Sequence, residues 1–333
     1  MVTAQPGIFL EGTAAHYALE FEIFGNVSSD KFAAALAKAR ADAIGTKGVN
    51  LVTAFSGPAW ERLGSAVPSG MRPFEKIGTD PGRIAPATQR DVLFWLHVAA
   101  LDDVFDAALA VGSAMASVAD PVLDLRRFVY HDSRDLTGFV DDSANPKGDA
   151  QQAAALITDG PGTGGAYVLT QQWIHDLESF NALEVPEQEG VIGRTKADSI
   201  ELEGDAMPSD SHVSRTDVKV DGVAMKIYRR SFPYGSVGAK GLYYLSFACD
   251  IARFDIQLQR MFGVSDDGLH DRLTEFNAAV TGSYWFAPPE EDLAAALKST
   301  KEKEYGSRTK RQESDRHWRY QGNRSRNRAD SRR

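Results

Sequence analysis

The sequence predicts an α+β protein built from two related units, each resembling a ferredoxin-like sandwich of antiparallel strands with peripheral helices. Two observations carry that expectation. A strand and helix alternation runs through residues 16–115 and begins again at residue 164, and a Gly-rich stretch, "TDGPGTGG" at 158–165, separates the two runs. A third is local: "LVTAFSGPAWERLG" and "YLSFACDIARFDIQLQRMFG" both pass from a strand ending in Phe to an aromatic-bearing helix that ends at Gly.

The elements follow in order. "HYALEFEIF" alternates at period two and predicts a strand; "SSDKFAAALAKARADAIG" opens on a Ser cap and predicts a helix. "GVNLVTAFSG" returns as a strand before a short "PAWERLG" helix, and "DVLFWLHVAA" leads as a strand into the helix "LDDVFDAALAVGSAM". In the second run "GGAYVLTQQWI" reads as a strand and "HDLESFNALE" as a helix. "MKIYRRSFPYG" and "GLYYLSFACD" read as strands, and "IARFDIQLQRMFG" as a helix with Phe254, Leu258 and Met261 on one face. The predicted division is an N-terminal unit at 1–155, a C-terminal unit at 156–300 and a tail at 301–333.

Composition limits the function classes. With 333 residues, 43% hydrophobic and 25% charged, the chain can bury two cores, which excludes fibrous and wholly disordered classes. Residues 301–333 carry 12 Lys+Arg against 5 Asp+Glu and almost no aliphatic side chains, so a disordered basic tail is expected on an acidic body. That acidic body argues against nucleic acid as a partner. No window is apolar for the ~20 residues that spanning a membrane requires, and the first residues lack a basic segment followed by an apolar core. The lone Cys249 forms no intrachain disulfide. A soluble cytoplasmic protein is expected.

Among seven histidines, His16 and His97 fall in apolar strands, and His175, His270 and His317 invite structural readings. His131 is a loop residue of no evident role. His212 differs, because "PSDSHVSRTD" is polar yet precedes an alternating apolar pattern, so its ring could project from a loop into a cavity. No zinc spacing, P-loop or nucleophile elbow occurs, and "GPGTGG" precedes a strand instead of following one, which excludes a dinucleotide loop. The pair Asp141 and Asp142 in "DLTGFVDDSANPKGD" could be a turn, a metal loop or an acid–base site.

Five ordered segments, "DLTGFVDDSANP", "QEGVIGRTKADSIEL", "SHVSR", "IYRRSFPYG" and "TGSYWFAPP", together resemble the dye-decolourising peroxidases, and within them the B-type bacterial group. The resemblance covers most of residues 1–290, is strongest from about 135 onward, and leaves the tail unmatched. It implies a fold of the dimeric α+β barrel type and a haem peroxidase that uses hydrogen peroxide to oxidise dyes, phenols or other one-electron donors, with haem b as cofactor. Asp141 matches the distal acid–base aspartate of the family's G-x-x-D-G signature, whose last glycine is replaced here by Asp142. His212 matches the iron ligand on the opposite face, Asp271 its carboxylate partner, Arg229 the distal arginine and Ser231 the adjoining polar position. Arg230 is the alternative arginine. Arg194, Lys196 and Arg215 are candidates for the haem propionates, with surface ion pairs as the competing reading.

The resemblance also implies self-association, while the tail lacks the short apolar address that would predict packaging in a protein shell. An aspartate is a weaker base than histidine, so an acidic optimum is expected. Trp173, Tyr228 and Trp285 could relay electrons to a bulky dye, or simply pack. Two other readings stand beside a peroxidase: a haem-binding protein that stores or delivers haem without turnover, and a haem-free interaction protein.

Overall fold

The computed structural model describes residues 3–298, so the expected basic tail at 301–333 lies outside the described residues. The first half runs β1 (Ala15–Ile23), α1 (Ser29–Gly45), β2 (Asn50–Phe55), α2 (Gly57–Arg62), β3 (Val92–Val98), α3 (Leu101–Met115) and β4 (Ala119–Phe128). Helix α1 starts where the sequence places it, because the Ser28 hydroxyl accepts from the Lys31 amide. Helix α2 starts at Ser56 in the same way, with Pro58 in its first turn. All strand pairs are antiparallel, in the order β4-β1-β3-β2.

The second half comprises α4 (Asp149–Ala155), β5 (Ala166–His175), α5 (Leu177–Asn181), α6 (Val185–Ile192), α7 (His212–Thr216) and the small hairpin β6 (Lys219–Val220) and β7 (Val223–Ala224). It continues through β8 (Tyr228–Arg229), β9 (Phe232–Gly235), β10 (Lys240–Ala248), α8 (Ala252–Met261), β11 (Asn277–Ala279), β12 (Ser283–Ala287) and α9 (Glu290–Ala296). Its strands stand in the order β12-β5-β10-β8, with β9 also on β10 and β11 on β5. Both halves therefore share one ferredoxin-like order, the last strand beside the first, then the third, then the second. The predicted fold class is the observed one.

The halves join edge to edge through Phe286 of β12 opposite Phe55 of β2. At the far edges β4 and β9 approach without a ladder, and the Phe232 ring stacks on His16 at 3.6 Å. The sheet thus curls around an interior, while α1 and α3 cover the outer face of the first half over Phe32, Leu36, Phe94, Val104 and Val111.

Three local expectations change. β4 escapes the periodicity because "ADPVLDLRRF" carries Pro121 and several charges; it is an edge strand, where one flank of the ladder and much of one face meet solvent. The strand expected over 225–235 is broken into β8 and β9 around Arg230 and Ser231. The two segments that looked alike are not equivalent, since β2 is the second strand of its unit and β10 the third.

Alternation along the strands decides what faces where. Leu169, Gln171, Trp173 and His175 of β5 and Leu242 and Tyr244 of β10 point to the outer face of the second half, while their neighbours fill the curled interior. In the first half that outer face is closed by two long helices. Here a cavity lies between the sheet, α7, α8 and the 135–144 loop.

Candidate functional site

The cavity encloses about 1530 Å³ of empty space, its open mouth included. Its walls are largely apolar, and α8 supplies Phe254, Leu258 and Met261, the three residues that the sequence places on one helix face. Polar groups converge on it from two segments, with Arg229 of β8 tied to the first.

The first segment is the loop before α4. Arg134 ties it down by donating to the carbonyls of Gly138 (2.8 Å), Lys196 (2.7 Å) and Ala197 (3.1 Å). The Asp135 carboxylate accepts from the Thr137 amide and hydroxyl and pairs with His175 Nε2 at 2.9 Å. Burial alone would raise the Asp135 pKa, but the His175 and Thr137 bonds outweigh it and leave the group below its ordinary value. The Asp141 amide donates to Ser133 O at 3.0 Å, which fixes the backbone beneath its side chain.

Asp141 Oδ1 accepts from the Asp142 amide at 2.7 Å, and Oδ2 is buried with no partner. Asp142 adopts φ 56°, the left-handed region that glycine favours and that aspartate tolerates better than most residues. Its side chain takes Arg229 Nε at 3.2 Å. Burial, then the charge of Asp142, holds the Asp141 pKa well above the usual carboxylate range, against the opposing pull of Arg229. Burial raises Asp142 as well, with Arg229 countering it by charge and hydrogen bond.

Arg229 is held by its backbone. Asn145 Nδ2 donates to Arg229 O at 2.7 Å, and Arg229 N donates to Asn145 Oδ1 at 2.9 Å, so the turn carrying both aspartates is clamped to β8. Successive residues point to opposite sides, so Arg229 lines the cavity and Arg230 enters the curled interior, where it lies over Trp95 at 4.9 Å. Ser231, the adjoining candidate, does not line the cavity. Its hydroxyl is buried and meets only the backbone of Leu245, 3.3 Å from N and 3.5 Å from O.

The second segment is α7. His212 is its first residue, not a loop residue, and Ser211 caps the helix by accepting from the Ser214 amide. The ring is about one third exposed, into the cavity. His212 Nδ1 meets Asp271 Oδ2 at 2.6 Å, while Asp271 Oδ1 accepts from the Leu273 amide at 2.9 Å and the carboxylate is wholly buried. A carboxylate at Nδ1 calls for the proton on that nitrogen, and in the neutral ring the lone pair is then on Nε2.

The three propionate candidates separate. Arg194 lines the cavity, though its guanidinium is bonded to Ser199 O and Glu201. Lys196 lies over the Phe139 ring at 5.5 Å. Arg215 faces away: it is buried and forks onto both carboxylate oxygens of Asp267 at 2.7 and 2.9 Å, so the sequence expectation for it does not fit this geometry. Asp135, Gln171, His175 and Asn145 were missed by sequence reading. The Asp-x-Thr turn at 135–137 was the one available signal, since it predicts a carboxylate bonded to its own backbone.

Among the described residues no group of three or more His, Cys, Asp or Glu could hold a bare metal ion. One imidazole lone pair in an apolar cavity, with a buried unpartnered carboxylate oxygen and a guanidinium in the same wall, suits a planar apolar group that brings its own metal donors. Haem fits that donor set.

Comparison with known proteins gives the same direction. The family described as "Dyp-type peroxidase, C-terminal" matches residues 132–292. The dye-decolorizing peroxidase of Mycobacterium tuberculosis is 36% identical over 249 residues, covering 73% of this chain and 74% of that protein. A variant of Rhodococcus jostii RHA1 DypB in complex with heme superposes with a TM-score of 0.79 at 33% identity, covering 85% of this chain and 96% of that one. The dye-decolorizing protein from V. cholerae gives 0.79 at 34%, covering 88% and 98%.

Proposed function

We infer the activity from the premise that the chain belongs to the dye-decolourising peroxidase family: it is a haem peroxidase, an oxidoreductase with peroxide as acceptor. The observation that carries the site assignment is the convergence of His212, Asp141 and Arg229 on one apolar cavity.

In this reading His212 Nε2 would hold the iron of haem b, and the Asp271 carboxylate on Nδ1 would strengthen that donor. Bound haem would supply the redox chemistry by which peroxide is reduced. Asp141 holds and moves the proton. Its free Oδ2 would accept a proton from one oxygen of hydrogen peroxide and return it to the other, which leaves as water. Arg229, a fixed cation tethered by Asn145 and Asp142, stabilises the negative charge that grows on the departing oxygen. Two electrons, delivered singly by a dye or phenol, together with two protons from the donor or solvent, complete the reduction of peroxide to two waters. Of the three propionate candidates, Arg194 is the one that lines the cavity.

The resemblance to the B-type group, self-association and a cytoplasmic location belong to the same proposal. Leu101, Phe105 and Leu109 form an exposed apolar stripe at four-residue spacing along α3, a surface suited to a second copy and testable by light scattering. Cys249 as a lone thiol is the ground for a reducing compartment, testable by fractionation. The division into units at 1–155 and 156–300 is likewise proposed, and limited proteolysis tests it.

Reconstitution with haem followed by peroxide and dye tests the whole reading. Peroxide-dependent bleaching is expected. A Soret band without turnover would instead favour haem storage or delivery.

A further inference from the structure

A second cluster of buried polar groups lies inside the curled sheet, on the far side of the strands from His212. Arg127 of β4 is completely buried, and none of its three guanidinium nitrogens has a hydrogen-bond partner. Its neighbours are ring faces, Tyr243 at 4.8 Å and Phe232 at 5.9 Å. A cation lying on ring faces recovers only part of what it loses when it is stripped of water. Rings alone do not balance it. The indole N–H of Trp95 is buried and unpartnered in the same interior.

Charge points to what is missing. Arg230, over Trp95, adds a second cation, and it donates only to the neutral carbonyls of Ile8 and Leu10, each at 2.7 Å. The stacked His16 and His97 are neutral, held by burial at about 2 and about 3. The acidic group of this interior, Glu20, is engaged by the hydroxyls of Tyr243 (2.6 Å) and Thr170 (3.1 Å), and burial favours its protonated form. No carboxylate is bonded to Arg127.

We propose that the interior of the curled sheet binds a small inorganic anion of chloride size, held by the Arg127 guanidinium and the Trp95 indole N–H. Water could satisfy the N–H groups, but an anion satisfies them and also balances the charge. His16 Nε2 bonds Thr13 O at 2.9 Å, so its unpartnered Nδ1 is a bare acceptor and calls for a water beside the anion. Arg127 and Trp95 belong to the first half, Arg230 and Phe232 to the second. The anion therefore pins the halves where β4 and β9 approach without a ladder.

Crystals of the full chain grown without halide and soaked in sodium bromide test this directly. An anomalous bromine peak in contact with Arg127 and Trp95 Nε1 is expected. Water-sized density there, with bromide only as an adventitious ion on the surface, overturns the proposal. In solution the melting temperature at fixed ionic strength should be higher in sodium chloride than in sodium gluconate by about 2–4 °C. Arg127→Met should abolish that difference, and Trp95→Phe, which keeps the ring and removes the donor, should reduce it if Arg127→Met does not fold. A wild-type protein indifferent to the anion, or variants that keep the full difference, would equally refute the site.

Discussion

Arg229 donates from Nε to Asp142 at 3.2 Å, and Asp142 reaches it from the left-handed backbone position that follows Asp141. The residue that departs from the family's glycine signature is thus the one that holds Arg229, the proposed distal arginine.

Replacing Asp142 by Gly keeps the turn accessible and removes one carboxylate. Asp141 must be ionised to accept a proton, and burial together with the charge of Asp142 raises its pKa, so the acid limb of the peroxide reaction sits higher than a solvated aspartate would place it. D142G removes the repulsion and frees Arg229 to act on Asp141. Both changes lower that pKa, so the acid limb moves to lower pH in stopped-flow measurements. An unmoved limb would disprove the coupling.

Asp141→Asn should slow the reaction with peroxide by about 10²–10⁴-fold. Stability should move the other way. A carboxyl whose folded pKa is raised contributes stability that is full below its unfolded value and is lost as pH rises through the folded one. Asn cannot ionise, so D141N should melt above the wild type at neutral pH, with the gap closing in acid. Melting curves at both pH values check the sign.

Asp271→Asn should weaken haem binding by about 10–100-fold, because the carboxylate orients His212 and strengthens its Nε2 donor. Soret titration measures it. An unchanged affinity would leave Asp271 as the cap of its own turn, through the Leu273 amide.

Arg215→Met should cost stability, about 2 kcal/mol for lost charged hydrogen bonds to the half-exposed Asp267, with an unchanged Soret titration. A haem-binding defect at unchanged stability would return Arg215 to the propionates.

The sequence made the regular elements legible where one physical signal dominates, as in the Ser-capped α1 and the alternating β1. It failed at β4, whose charges reflect an edge, and at α7, whose five residues are too few to show a period. Asp141, His212 and Arg229 were legible as a set through resemblance, because none is distinctive alone. Alternation across β8, once its pairing to β10 is known, separates Arg229 from Arg230. The Asp142 pair with Arg229 and the Asp135 pair with His175 join segments far apart in the chain, so only the fold brings them together. Arg215 was misread because a charge in the sequence carries no sign of its burial.

The proposed function stands or falls on His212 presenting its Nε2 to haem iron in the cavity it shares with Asp141 and Arg229. Haem titration of the wild type and of His212→Ala, followed by Soret absorption, is the decisive measurement. The wild type should bind one equivalent with a histidine-ligated ferric spectrum, and a folded H212A should lose that spectrum. The same spectrum and affinity in both proteins would refute the assignment.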